Sequence, residues 1–218
     1  MQKTRPTKVK NFLIRATAVS ALVASLVGVA RAGQGGVDDA TRAAAQSFEA
    51  KLQNLQSGNS APAASYPPVT ITEFEANSYL KLHSGEFLPP GVHNPAVQFQ
   101  PQHVTGSADV NFEEFSRANT NPNDWGPKVL AAMFKGTQRV TATAKVESAQ
   151  GQAHVQIESV AVGSMNVPDW LVDYLIQNVL QPKYGFDLSK PIALPNHVTQ
   201  IVLGTRQATF LRGAVNPH

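Results

Sequence analysis

The sequence predicts an α+β protein in which a long, curved antiparallel sheet wraps around one or two helices. Three observations support this fold class. Apolar and polar residues alternate with a period of two in several stretches between residues 96 and 212, as half-buried antiparallel strands require. A helix that is apolar on nearly every side interrupts these stretches at residues 168–180. The order of elements lacks the strand–helix–strand alternation of a parallel sheet.

Residues 1–32 have the pattern of an N-terminal signal peptide. A basic segment precedes a short apolar run at residues 16–30, and Ala30 and Ala32 occupy the two positions that a signal peptidase reads. We expect cleavage after Ala32, and the alternative is an uncleaved membrane anchor. The cleaved protein would be exported, periplasmic or secreted, and would have no stable transmembrane span.

Removal of the signal peptide changes the charge of the chain. The 218 residues include 18 Lys and Arg against 15 Asp and Glu, and six of the basic residues but none of the acidic ones lie in the first 32 residues. Twelve basic and 15 acidic residues then remain, a net charge of −3. We therefore expect no nucleic-acid partner. The absence of cysteine excludes disulfides and thiolate metal sites.

Residues 33–68 are predicted to form an N-terminal helix and a linker outside the main domain. Phe48 and Leu52 belong to a weak apolar stripe at helical spacing, so the helix is expected to be only loosely attached. Small residues and prolines at 57–68 have the composition of a linker. The main α+β domain is accordingly predicted at residues 69–218.

The main domain is predicted to open with a helix and to continue with strands. Thr72 and Glu75 have the spacing of a capping box, which marks a helix start. Residues 96–112 alternate with a period of two and predict strands. Residues 115–127 form a polar insertion.

Two hairpins complete the predicted sheet. Residues 138–148 and 152–162 form the first, and the alternation slips past Ser159, which indicates a bulge or a strong bend. The second spans residues 198–212, with a two-residue turn predicted to begin at Gly204.

The helix at residues 168–180 is the candidate binding element. Asp169, Asp173 and Gln177 form one narrow polar stripe, and the remaining surface is mostly apolar. Such a helix is either core or the wall of an apolar groove, since small inward residues such as Ala142, Ala144 and Ala208 would leave a slot beside it. The candidate groove residues are Trp170, Leu171, Tyr174, Leu175 and Val179.

No enzymatic activity, metal or cofactor is predicted. The sequence has no G-x-S-x-G, P-loop or H-E-x-x-H motif, and its six histidines are dispersed. His154 and Glu158 lie four residues apart on a predicted strand, and we interpret them as solvated side chains. A hydrolase with a spatially assembled site is the least favoured reading.

Three segments carry a resemblance to a known family. The runs VTITEFEANSYL, VAVGSMNVPDWLVDYLIQNVL and LPNHVTQIVLGTRQATFL resemble exported bacterial tubular lipid-binding (TULIP-like) proteins in a single-domain form. The resemblance covers residues 69–212 and departs at the insertion 115–127. It implies a curved sheet around a helix, an apolar groove, and an acyl chain or phospholipid as ligand, and it transfers no site residue.

Two functions from different classes remain. The first is a periplasmic lipid-binding or lipid-carrying protein that holds acyl chains, or another apolar ligand, beside residues 168–180. The alternative is a non-enzymatic structural or interaction protein of the envelope. It would dock on a protein partner through its N-terminal helix or a sheet edge.

Overall fold

The fold is described from a computed structural model for residues 38–56, 66–118, 132–177 and 187–213. The predicted signal peptide, most of the predicted linker and the end of the predicted helix 168–180 lie outside these residues. Four helices and two antiparallel sheets are present in the described ranges, which confirms the predicted α+β class.

The four longest strands all belong to the larger sheet. The helices are α1 (Asp39–Gln56), α2 (Glu73–Phe87), α3 (Phe112–Ala118) and α4 (Asp169–Leu175). The strands are β1 (Val69–Thr72), β2 (Val92–Gln100), β3 (His103–Asn111), β4 (Thr137–Ala149), β5 (Gln152–Val162), β6 (Met165–Asn166), β7 (Ile192–Ala193), β8 (Val198–Gly204) and β9 (Gln207–Arg212). The larger sheet has the order β2-β3-β4-β5-β6, with β7 paired to the start of β5, and the smaller sheet has the order β1-β9-β8.

The hairpin of β4 and β5 matches the sequence prediction closely, including its irregularity. Thr143 pairs with Ser159 and Ala144 pairs with Ile157, so Glu158 is an extra residue on β5. This is the bulge that the slipped alternation indicated.

The turn of the closing hairpin differs from the prediction by one residue. Gly204 pairs with Gln207, so the two turn residues are Thr205 and Arg206. The prediction placed Gly204 in the turn because glycine tolerates a positive φ, but Arg206 is the residue with a positive φ, at 60°. The Arg206 N–H also donates to the Phe99 carbonyl at 2.9 Å, which connects the turn to the larger sheet.

The first helix is an integral part of the main core, although the sequence indicated a loose attachment. Phe48, Leu52 and Leu55 are buried among residues of α2, β2 and β8, and the ring of Phe48 lies 4.8 Å from that of Tyr79. The start of α1 is capped by Asp38, whose carboxylate accepts from the Thr41 N–H. The apolar stripe of α1 is narrow, but α2 and the strands enclose it together, which is why a weakly amphipathic helix is firmly attached.

A polar network fastens α1 to α2. The Glu75 carboxylate accepts from Lys51 Nζ at 2.6 and 2.8 Å, from Ser47 Oγ at 2.6 Å and from the Thr72 N–H at 2.8 Å. The Glu75 N–H donates to Thr72 Oγ1, so the predicted capping box is present.

A second, smaller core lies at the other end of the larger sheet. Its buried members are Phe112, Phe134, Val162, Val167 and Leu171. The ring of Phe112 lies 5.2 Å from that of Phe134. Leu171 belongs to α4. The helix predicted at residues 168–180 therefore packs in this second core and away from α1 and α2.

Candidate functional site

The larger sheet has one apolar face and one polar face. Strand partners share a face, so the register assigns each side chain. The polar face carries His103, Thr105, Ser107, Asp109, Arg139, Thr141, Thr143 and Lys145. The opposite face carries valines near each end and small residues between them.

The middle of the apolar face is a strip of small residues, Gly106, Ala108, Ala142 and Ala144, which we call the apolar strip. Gly106 pairs with Ala142, and Ala142 pairs with Val160 on the next strand. All four members are half-buried. A methyl group added to Gly106 would meet nothing within 4 Å, so there is space above the strip.

The apolar strip lies between the two cores. Val97 and Phe99 on one side pack in or against the main core, and Val110, Val140 and Val160 on the other pack against the second core. The main core, with α1 and α2, therefore covers one end of the apolar face, and the second core, with α3 and α4, covers the other. Within the described ranges, small side chains separate them.

A cleft of about 870 Å³ continues the apolar strip at the β5 edge of the sheet. Its apolar lining comes from β5, from the C-terminal part of α4 and from the segment before β7: Val155, Ile157, Val160, Val172, Ile176 and Leu188. Because Val160 pairs with Ala142 and Ile157 pairs with Ala144, the strip and the cleft share one apolar surface.

The rim of the cleft is acidic. Its carboxylates belong to Glu147, Glu158, Asp169, Asp173 and Asp187. Three of them have basic partners: Glu147 contacts Lys145 at 2.7 Å, Glu158 contacts His103 at 3.2 Å and Asp187 contacts Lys190 at 3.0 Å.

Two of the rim carboxylates have a lowered pKa. The hydrogen bond from Lys145 lowers the pKa of Glu147. The hydrogen bonds from Ser189 and Lys190 lower the pKa of Asp187. Both rim carboxylates therefore stay ionised to a lower pH than free carboxylates.

The predicted groove residues of α4 occupy different environments. Leu171 is fully buried in the second core at 0% exposure, and Tyr174 packs against that core. Trp170 is 60% exposed. Val179 and the side chain of Leu175 lie outside the described part of the molecule.

The polar stripe of α4 faces the cleft. Asp169, Asp173 and Gln177 line it together with Val172 and Ile176, at the i, i+3, i+4, i+7 and i+8 positions of one helix face. Sequence reasoning noted the polar stripe but did not place it at the site. The two apolar lining residues, Val172 and Ile176, were visible only as part of an apolar helix.

Several large apolar side chains are exposed around the second core. Trp170, Met165 and Met133 have exposures of 60%, 52% and 50%. Trp170 and Met133 adjoin the buried Leu171 and Phe134 in sequence, and Met165 pairs with the buried Val162. This end of the molecule offers apolar contacts to a ligand or a surface.

The histidines do not assemble into a metal centre in the described ranges, where no group of three or more His, Cys, Asp or Glu side chains could hold an ion. His154 lines the cleft, while Glu158 contacts His103 instead of His154. The pair His154 and Glu158 therefore does not act as a unit.

Comparisons with family models, with curated proteins and with solved structures found no match to this chain. None of the helices in the described ranges is both long and apolar enough to cross a membrane.

Proposed function

We propose that this protein is an exported lipid-binding protein that holds an acyl chain on the apolar strip and in the adjoining cleft beside α4. The ligand class is the one implied by the resemblance to tubular lipid-binding proteins. The proposed chain would lie across Gly106 and Ala142 and reach Val160 below α4. No catalytic step is part of the proposal.

One observation carries this proposal: the apolar face is covered at both ends by helices and bears only small residues between them. Packed cores are filled to high density, so a buried face normally meets bulky side chains. At Gly106 an added methyl group would instead meet open space. An apolar ligand would remove this face from water.

The expected affinity comes from the hydrophobic effect. Burying one methylene contributes about 0.8 kcal/mol, so roughly ten methylenes contribute about 8 kcal/mol before the cost of ordering the chain. The rim carries Asp169 and Asp173 beside three carboxylates that contact basic side chains, so it would disfavour an anionic head group at the cleft mouth. We therefore expect neutral, zwitterionic or cationic head groups to bind better than anionic ones.

Native mass spectrometry of the protein purified from cells tests the proposal. We expect a population heavier than the polypeptide by the mass of a lipid, and the same lipid in an organic extract of the sample. A urea-washed and refolded sample is the control and should lose the extra mass. Recovery of the bare polypeptide mass alone, with no lipid in the extract, would contradict the proposal.

The alternative function, docking through the N-terminal helix, has lost its motivation because α1 contributes Phe48, Leu52 and Leu55 to the main core. A truncation of α1 would unfold the protein rather than remove a docking arm. Docking through a sheet edge has separate support, which concerns β5.

A further inference from the structure

The outer edge of β5 is paired at its two ends. β7 pairs with Gln152 and Ala153, and β6 pairs with Ala161 and Val162. The Val167 N–H donates to the Val160 carbonyl at 2.8 Å and marks the end of the β6 contact. Between these contacts, across residues 154–159, no strand in the described ranges pairs with the outer edge.

The cleft runs along this unpaired stretch of edge. Its lining includes Val155 and Ile157 from the apolar face of the sheet and also Gln156 and Ser159 from the polar face. A cavity touches side chains of both faces of one strand only where it lies against the edge of that strand. The outward backbone groups of residues 154–159 therefore face the cleft.

The opposite edge of the sheet, formed by β2, is protected against pairing with a further strand. On β2, the side-chain amide of Asn77 accepts from the Val97 N–H and donates to the Val97 carbonyl, both at 2.8 Å. The Phe99 N–H donates to Glu73 and the Phe99 carbonyl accepts from the Arg206 N–H. Side chains and a turn thus satisfy the β2 edge, as expected for an edge that must not pair with other chains.

We propose that the β5 edge is a strand-addition site for an extended, basic segment of a protein partner. An incoming strand would pair with residues 154–159, and main-chain hydrogen bonds would supply affinity in the manner of known strand-addition complexes. Six residues, 154–159, lie between the β7 contact at Ala153 and the hydrogen bond at Val160, a length of about 20 Å, so the space accepts a strand of about five residues.

Charge complementarity defines the partner. Five carboxylates line the cleft; three of them contact Lys145, His103 or Lys190, and the other two, Asp169 and Asp173, lie on α4. α4 packs on the same face of the sheet as Val155 and Ile157. Lys or Arg at alternate positions of the incoming strand would therefore extend over these two side chains towards Asp169 and Asp173. The inference does not rest on lipid binding, but an incoming strand and an acyl chain would compete for the cleft, since both would contact Val155 and Ile157.

The test uses the purified protein and a synthetic peptide of about seven residues, acetylated and amidated, with alternating Lys and Val. Two control peptides are matched in length: one is methylated at alternate backbone nitrogens, and the other has Glu in place of Lys. Amide hydrogen exchange is measured by NMR with and without peptide. We expect exchange to slow about tenfold or more at alternate amides of residues 155–159.

The controls identify the source of the binding. Backbone methylation should abolish it, and the Glu peptide should bind at least about tenfold more weakly. The double variant Asp169→Asn, Asp173→Asn should weaken the Lys peptide about fivefold or more, whereas Asp39→Asn, an exposed position on α1, should not. Equal binding of the methylated peptide, or unchanged exchange at residues 155–159, would overturn the proposal.

Two further outcomes would assign the edge to another occupant and also overturn the proposal. Protection of residues 155–159 that rises with protein concentration without peptide would mean that two copies pair through β5. Full protection at every concentration would mean that the chain covers its own edge.

Discussion

Ser148 on β4 binds both backbone groups of Ile201 on β8 with a single hydroxyl. Ser148 Oγ accepts from the Ile201 N–H at 2.7 Å and donates to the Ile201 carbonyl at 2.9 Å. Ile201 pairs with Phe210 on its other side. The hydroxyl therefore makes the two hydrogen bonds that a neighbouring strand would make to Ile201, and it connects the smaller sheet to the larger one.

Replacing this hydroxyl should weaken the joint between the sheets. Ser148→Ala leaves two backbone groups of the buried Ile201 without partners, and we expect a loss of about 1–3 kcal/mol in the free energy of unfolding. Urea denaturation measures this loss. Ser164→Ala, at an exposed turn position, is the matched control and should be neutral. Equal stability of the two variants would show that the Ser148 contacts contribute nothing.

The network around Glu75 predicts a loss of stability in acid. Burial raises the pKa of Glu75, but hydrogen bonds from Lys51, Ser47 and Thr72 outweigh it and lower the pKa from 4.5 to about 2. The folded state thus releases the proton more readily than the unfolded state. The stabilisation is complete above about pH 4.5 and is lost as the pH falls towards 2.

The difference in pKa corresponds to about 3 kcal/mol at neutral pH. Glu75→Gln should lose up to about this amount at pH 7 and should approach the wild-type stability near pH 2. Chemical denaturation at a series of pH values measures both proteins. Glu49→Gln, on the exposed face of α1, is the control and should follow the wild type throughout. A constant difference between Glu75→Gln and the wild type at all pH values would contradict the proposed network.

The two neighbouring residues of α4 should separate stability from ligand binding. Leu171→Ala removes a fully buried side chain and should cost about 2–5 kcal/mol. Trp170→Ala removes an exposed one and should change stability by less than about 1 kcal/mol. Thermal and urea unfolding give the stabilities, and lipid extraction gives the bound ligand. If Trp170→Ala were as destabilising as Leu171→Ala, the assigned orientation of α4 would be wrong.

Local patterns predicted the fold best where the sequence alone defines the geometry. The hairpin of β4 and β5 and its bulge at Glu158 follow from a period of two and its interruption. The capping box of Thr72 and Glu75 follows from a fixed spacing. In each case the interacting residues are near in sequence.

Contacts between distant segments were not predictable in the same way. The packing of Phe48 against Tyr79 depends on how α1 meets α2, and a weak amphipathic stripe does not specify a partner. The stretch of the β5 edge with which no described strand pairs depends on where β6 and β7 end, and no local pattern reveals this. The same holds for the candidate site. The composition of residues 168–180 predicted a helix there, but only the structure shows which face of that helix borders the cleft.

The most direct test of the account fills the apolar strip. Ala142→Leu places a larger side chain on the apolar face, and Thr141→Leu places the same side chain on the polar face one residue away. Binding of a fluorescent long-chain acyl ligand is titrated for both variants and the wild type, with stability measured in parallel. We predict that Ala142→Leu weakens binding about tenfold or more with little loss of stability, while Thr141→Leu binds as the wild type does. If Ala142→Leu bound the ligand normally, or was destabilised as an overpacked core would be, the apolar strip would not be a lipid site.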